Sequence, residues 1–283
     1  MDTTKGAAIL SNNKGPLEDY AGVEKVDNLL PPIFCVPNTH GTGGEVAPAM
    51  VARNKSTNKK YVIYSRFLFP KTAILDPNMV YLMPQRLAVI DSFDALAHAV
   101  ESVCASTSHP LSEINALAAI ELIGINIRRA CTTHEKQPAL LMQLAASLAL
   151  FAVSGTKAGL IHAAAFALEG IKDIPHGIAC AIFMPYVMEF NALGDVPKFA
   201  QIAQFLGEKV EQLPLLEQAY HAANAVKAIY KDLKIPQSLT ELGVPKDAIP
   251  DMAKAAMNVT RLMGNNPREM MVEDVQRIYE NAL

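Results

Sequence analysis

Apolar residues change their spacing part-way along the chain. Up to about residue 77 they come in short runs broken by Gly, Pro and Asn. Ile33-Phe34-Cys35-Val36 closes at Pro37, and segments 46–51, 61–64 and 72–75 repeat the theme. β-Branched and aromatic residues between such breakers predict short strands. Residues 2–10 predict a helix ahead of them. From Met83 onward Ala, Leu, Ile and Met dominate and recur at helical spacing. Helices are predicted over 84–102, 112–130, 138–156, 159–169, 177–191, 198–206, 215–233, 250–259 and 272–281. Pro84 and Pro250 suit first turns, where a missing N–H costs no bond. The pattern reads as an α/β part over 1–77 and an all-helical part over 78–283. No low-complexity linker separates them, so they are expected to pack closely.

Composition narrows this picture. The chain has 283 residues, which favours two domains sharing an interface. Hydrophobic residues make up 51% and charged residues 19%, ample for a core and wrong for disorder. A net charge of −3 with no dense Lys/Arg run gives no case for nucleic acid or an anionic membrane. The most apolar long stretch, 140–153, contains Gln143 and Ser147 and falls short of the ~20 residues of a bilayer span. It reads as a buried core helix. Cys35, Cys104, Cys131 and Cys180 include no Cys-x-x-Cys pair, which argues against a disulfide framework or a thiolate zinc site. The first residues lack an apolar signal core. A reduced, cytoplasmic compartment is the expectation.

Candidate chemistry enters at Asp94-Ala95-Leu96-Ala97-His98. Positions four apart share one helix face, so this carboxylate and imidazole can grip one ion. An Asp on so apolar a helix needs a partner, and a cation is a good one. His162 lies among small apolar residues, and His176 follows Pro175 in a turn that can aim it back at a helix. One oxygen and three nitrogens suit Zn²⁺ or Fe²⁺ and can leave a position open. Spacing alone leaves a blander alternative: Asp-x-x-x-His also arises by accident, and a lone apolar-face His is commonly a hydrogen-bonded core residue. His109, His134 and His221 lie in polar stretches and read as surface residues.

Three segments carry a resemblance. They are Ala73-Ile74-Leu75-Asp76-Pro77 with Pro84, Asp94-Ala95-Leu96 and Glu101; Gly159 through His162 to Pro175-His176-Gly177; and Pro37-Asn38-Thr39-His40-Gly41-Thr42-Gly43-Gly44-Glu45. In this order they resemble the iron-containing, group III, alcohol dehydrogenase family, related in fold to dehydroquinate synthase, over essentially the whole chain. The resemblance implies a partial α/β nucleotide-binding domain followed by an all-helical domain. It implies Asp94, His98, His162 and His176 as ligands of Fe²⁺ or Zn²⁺. It implies Asp2, Asn38, Thr39, Thr42 and Lys60 at a NAD(P) site, Asn38 replacing a Thr. The implied reaction moves hydride between a small alcohol or aldehyde and NAD(P), the metal polarising the substrate oxygen. Glu101 reads either as a support behind His98 or as an ordinary helix residue. A homo-oligomer fits the family's habit.

The chain also departs from the family pattern. The family's nucleotide-binding half, roughly a hundred residues, about one small domain, precedes a Gly-Gly-Gly-Ser loop. Met1-Asp2 resembles the residues just after that loop, with Lys5 on the following helix. Weak NAD(P) affinity and an exposed sheet edge are expected. A non-catalytic paralogue serving as a metal-binding structural or interaction subunit is the alternative function. Phe166 takes the place of a second family His that relays protons, so no catalytic side chain is assigned. Glu169 replaces a Gly and is expected either to fill space near the metal or to face solvent. Asp91 replaces a small residue, and Gly44 a Ser.

Overall fold

The computed structural model describes residues 1–54, 56 and 60–283. It opens with helix α1 (Asp2–Asn12), two residues longer than the spacing predicts. Five short strands follow: β1 (Gly22–Val23), β2 (Phe34–Cys35), β3 (Ala49–Arg53), β4 (Lys60–Tyr64) and β5 (Thr72–Ala73). β4 pairs in parallel with β1 and antiparallel with β3, while β2 and β5 form a separate parallel pair. β1 is the strand that local pattern does not reveal. Two residues carry no alternation, and its partner lies about forty residues away in sequence.

Under this layer sits a small core of Ile9, Tyr20, Val26, Met50, Ile63 and Leu68. Lys5 is fully buried beside it. Its ammonium donates to the carbonyl oxygens of Gly44 (2.9 Å), Ala47 (2.7 Å) and Ala49 (3.0 Å). Burial pulls its pKa down, and the nearby charges of Asp2, Cys35 and Glu45 oppose this. Three acceptors satisfy all three ammonium protons, which makes so buried a lysine tolerable.

From residue 85 onward the described residues form only helices and connections. These are α2 (Gln85–Cys104), α3 (Pro110–Thr132), α4 (Lys136–Thr156), α5 (Leu160–Glu169), α6 (His176–Asn191), α7 (Val196–Phe205), α8 (Leu215–Leu233), α9 (Ile249–Met257), α10 (Thr260–Met263) and α11 (Val272–Asn281). Starts are marked chemically. His109 and Ser112 form a reciprocal cap on α3, whose first residue is Pro110, and the Asp195 side chain caps α7. One continuous core runs through this half, and α2 lies against α3, α4 and α6 within it.

Three helical stretches, Pro110–Thr132, Lys136–Thr156 and His176–Gly194, are long and apolar enough by composition to cross a membrane. The second contains the apolar stretch 140–153, which alone is too short for this, because the helix extends beyond its most apolar segment. Here the first two pack on each other and on α2, and the third packs on α2, α5 and α8. Inward polar groups on α4 are used: the Gln143 amide donates to the Pro37 carbonyl (3.0 Å), and the Ser147 hydroxyl to Glu45 Oε1 (2.5 Å).

Those two bonds pin loop 37–45 against the helical half. Gly43 sits at φ 62°, and a Cβ there would meet the Ala146 carbonyl oxygen at 2.5 Å. Only glycine satisfies both the conformation and the close approach. The loop is thereby fixed between α4 and α2, where a Cβ on Gly41 would meet the Asp91 backbone at 2.7 Å.

Candidate metal centre

Helix α2 presents Asp94 and His98 one turn apart, as their spacing requires. The Oδ1 of Asp94 lies 3.9 Å from His98 Nδ1, 3.7 Å from His162 Nε2 and 3.5 Å from His176 Nε2. The His98 and His162 rings stack with centroids 4.6 Å apart. So the three imidazoles named from the sequence gather around the carboxylate named with them.

Backbone packing brings His176 there. It is the first residue of α6, set up by Pro175, and Gly177 follows it. A Cβ on Gly177 would lie 1.9 Å from the Ile90 carbonyl oxygen. The start of α6 therefore rests directly on the α2 backbone.

Glu101, one of the sequence candidates, has a definite task. Its Oε1 accepts from the backbone N–H groups of Ile161 (2.5 Å) and His162 (3.2 Å), at the start of α5. Its Oε2 lies 2.6 Å from His162 Nδ1. An N–H on Nδ1 leaves the Nε2 lone pair facing Asp94. Glu169, the last residue of α5, does the same for His176: Oε1 takes Nδ1, and Oε2 pairs with Lys60 Nζ at 3.3 Å. It neither merely fills space nor faces open solvent. Phe166 stacks on the His176 ring, centroids 5.4 Å apart.

Charge is concentrated here. Burial works against the Asp94 carboxylate, but His98, His162 and His176 outweigh it and hold its pKa well below the usual range. Burial lowers His98 to about 4, with Asp94 opposing and His162 and His176 adding to the fall. Burial also works against charge on His162, yet Glu101 and Asp94 raise it to about 10. For Glu101, burial is again outweighed by His162, so its pKa falls. Two buried carboxylates thus flank the His162 ring, Glu101 at Nδ1 and Asp94 toward Nε2. Asp94 Oδ1, His98 Nδ1 and His162 Nε2 are buried with no hydrogen-bond partner. Each orphan costs about 1–3 kcal/mol unless something takes it up. This donor set fits a divalent cation.

The tightest grouping differs in one member from the sequence expectation. Single donor atoms of Asp94, His162, His176 and Cys180 all lie within 4.8 Å of one another. His98 stands just outside, although its Nδ1 faces the same carboxylate oxygen. Cys180 lies four residues after His176 on α6, and that spacing was its only sequence signal. All four cysteines are free and buried.

The other named residues are placed as follows. Asp2 sits in the first turn of α1 and accepts from the Val51 N–H (3.3 Å). Asn38 and Thr42 are exposed on the pinned loop, and Thr39 is half-buried. Lys60 is exposed on β4. Of the histidines read as surface groups, His134 is exposed and His109 caps α3, but His221 is half-buried against Glu208 at 3.1 Å. His40, in the loop motif, is fully buried, its Nδ1 unpartnered, and burial lowers it to about 4.

Known proteins resemble this chain over its described length. The family described as "Fe-containing alcohol dehydrogenase family, C-terminal" matches residues 88–283, and "Iron-containing alcohol dehydrogenase" matches residues 1–77. The 1,3-propanediol dehydrogenase of Citrobacter freundii is 36% identical over 282 residues, covering 99% of this chain and 73% of that protein. A crystal structure of a 1,3-propanediol oxidoreductase superposes with a TM-score of 0.95 at 35% identity, covering 100% of this chain and 74% of the other. The sulfoacetaldehyde reductase of Bifidobacterium kashiwanohense, solved in complex with NAD⁺, gives 0.86 at 26% identity, covering 99% and 73%.

Proposed function

Because the chain belongs to the iron-containing alcohol dehydrogenase family, we propose that it takes part in hydride transfer between a small alcohol or aldehyde and NAD(P), with Asp94, His98, His162 and His176 holding Fe²⁺ or Zn²⁺. The observation that carries this is the set of buried, unpartnered donor atoms on Asp94, His98 and His162, close to His176. A divalent cation at such a site supplies Lewis-acid polarisation of an alcohol or carbonyl oxygen, and the dinucleotide supplies the hydride acceptor.

The chain's own residues prepare that chemistry. Asp94 contributes negative charge in a site from which water is largely excluded. Glu101 and Glu169 fix which nitrogen of His162 and His176 is free. Phe166 covers one face of His176 and offers no proton, so proton transfer to bulk falls to water or to a group on the substrate. Thr39, Thr42 and Asn38 sit on a loop that α4 holds still, and Lys60 offers a cation to a phosphate. Asp2, bonded to Val51, shapes the same layer. In this reading residues 1–77 form the dinucleotide side and 78–283 the metal side. Four unpaired thiols suit a reducing compartment. The relatives named above support small alcohols or aldehydes as substrates.

The test is metal analysis of the parent and of His176→Ala after loading with Fe²⁺ or Zn²⁺. It is joined to an assay of NAD(P)⁺ reduction with short alcohols. The parent is expected to retain metal and the variant to lose it. Equal metal content would overturn the ligand assignment. Full metal uptake without any alcohol-dependent reduction would favour a metal-binding subunit instead.

A further inference from the structure

We propose that Glu169 is a positioning residue shared by two sites: it sets the metal-facing nitrogen of His176 with one oxygen and holds Lys60 of β4 with the other. The inference rests on the metal-centre reading above and deepens it.

The geometry is specific. Glu169 closes α5, and its side chain is 14% exposed, so it is largely withdrawn from solvent. One carboxylate oxygen takes Nδ1 of His176. Phe166, one turn earlier on α5, lies nearly parallel to the same imidazole, with an interplanar angle of 18°. The ring is therefore gripped at an edge and covered on a face. Nε2 remains pointed toward Asp94 Oδ1 at 3.5 Å. An imidazole that donates Nδ1–H to a carboxylate keeps its lone pair on Nε2 and becomes a better ligand.

Lys60 completes the arrangement. Its side chain is 56% exposed and reaches Glu169 Oε2 at 3.3 Å, across more than a hundred residues of sequence. With its ammonium end largely in solvent, this pair adds little to folding stability. Its consequence is positional, because it joins β4 to the α5–α6 turn beside the metal. Each site should then feel substitutions in the other through one carboxylate.

The experiment measures Zn²⁺ affinity by chelator competition for the parent, Glu169→Ala, Glu169→Gln, Lys60→Met and the double variant that combines Lys60→Met with Glu169→Gln. Thermal melting of each metal-free protein is recorded alongside. Glu169→Ala is expected to bind Zn²⁺ about 10–100-fold more weakly than the parent, the usual effect of removing a carboxylate behind a ligand imidazole. Glu169→Gln keeps an acceptor oxygen and should recover part of that loss. Lys60→Met should weaken binding less, and its effect should shrink when Glu169→Gln is already present. Cobalt-loaded Glu169→Ala should show a changed visible spectrum, which a merely structural role would not produce. Parent-like affinity in both Glu169 variants would overturn the proposal, and an undiminished Lys60→Met effect in the double variant would overturn its Lys60 arm. If the parent itself binds no Zn²⁺, Co²⁺ or Fe²⁺, the metal-centre reading fails, a result distinct from either.

Discussion

Oε2 of Glu101 lies 2.6 Å from Nδ1 of His162, while Oε1 of the same carboxylate closes the first turn of α5. One buried side chain therefore starts the helix that carries His162 and selects the nitrogen that His162 turns toward Asp94. Folding and ligand orientation are joined in a single group.

Glu101→Ala should fail on both counts. It strips a carboxylate from behind a ligand imidazole, which typically costs about 10–100-fold in metal affinity. It also leaves buried N–H groups of Ile161 and His162 without acceptors, at about 1–3 kcal/mol each. Chelator competition and denaturant unfolding read the two effects separately. A variant with parental affinity and parental midpoint would sink this account of Glu101.

His98 and Cys180 compete for the fourth place around the centre. Burial and the charges of Asp94, Glu101 and Glu169 hold the Cys180 thiol well above its ordinary pKa, which disfavours the thiolate that a metal needs. Nδ1 of His98 is buried with nothing to bond. His98→Ala should therefore lose most bound metal, and Cys180→Ser should keep it. Cobalt-loaded parent should lack the intense sulfur-to-cobalt charge-transfer band. The opposite ranking of the two variants would place sulfur in the centre.

Gly177→Ala should damage the centre from a distance. Its new methyl would meet the Ile90 carbonyl at 1.9 Å, and backbone on both sides limits relaxation. Overpacking of this kind costs about 1–3 kcal/mol or more. Because His176 is the preceding residue, metal affinity should drop together with the melting temperature. A variant that melts and binds like the parent would mean that α6 does not need this approach to α2.

His40 should make the fold sensitive to acid. Burial lowers it to about 4, whereas an unfolded histidine titrates near 6.5. Between those values the unfolded chain takes a proton that the folded chain refuses. Stability from this group is therefore intact above pH ~6.5 and is lost as pH falls toward ~4. Relative to the parent, His40→Gln should gain on the order of 3 kcal/mol between pH 7 and pH 4. Denaturant unfolding across that range measures it, and parallel pH curves would contradict it.

Local pattern carried much of this protein into view. The helices over 215–233 and 272–281 coincide with those predicted from spacing, and the other long ones differ by at most two residues at either end. Helical periodicity is written by neighbours three and four apart, so a sequence displays it directly. The Asp94–His98 pair was legible for the same reason. His162 and His176 were candidates from their small apolar surroundings and the Pro175 turn, and the resemblance strengthened the set, since nothing local links them to α2.

What remained was decided by how helices cross. The span of β1, the four residues of α10 and the burial of His40 follow from distant partners. Glu101 and Glu169 each had two readings in the sequence, and the placement of α5 decided between them: Glu101 backs His162 rather than His98, and Glu169 backs His176. Lys5, which the resemblance places on the helix after the family's glycine-rich loop, ties three carbonyls together. Convergence of side chains depends on backbones that touch, as Gly177 touches Ile90. Sequence spacing fixes which face a residue occupies, but only tertiary packing fixes which other face it meets.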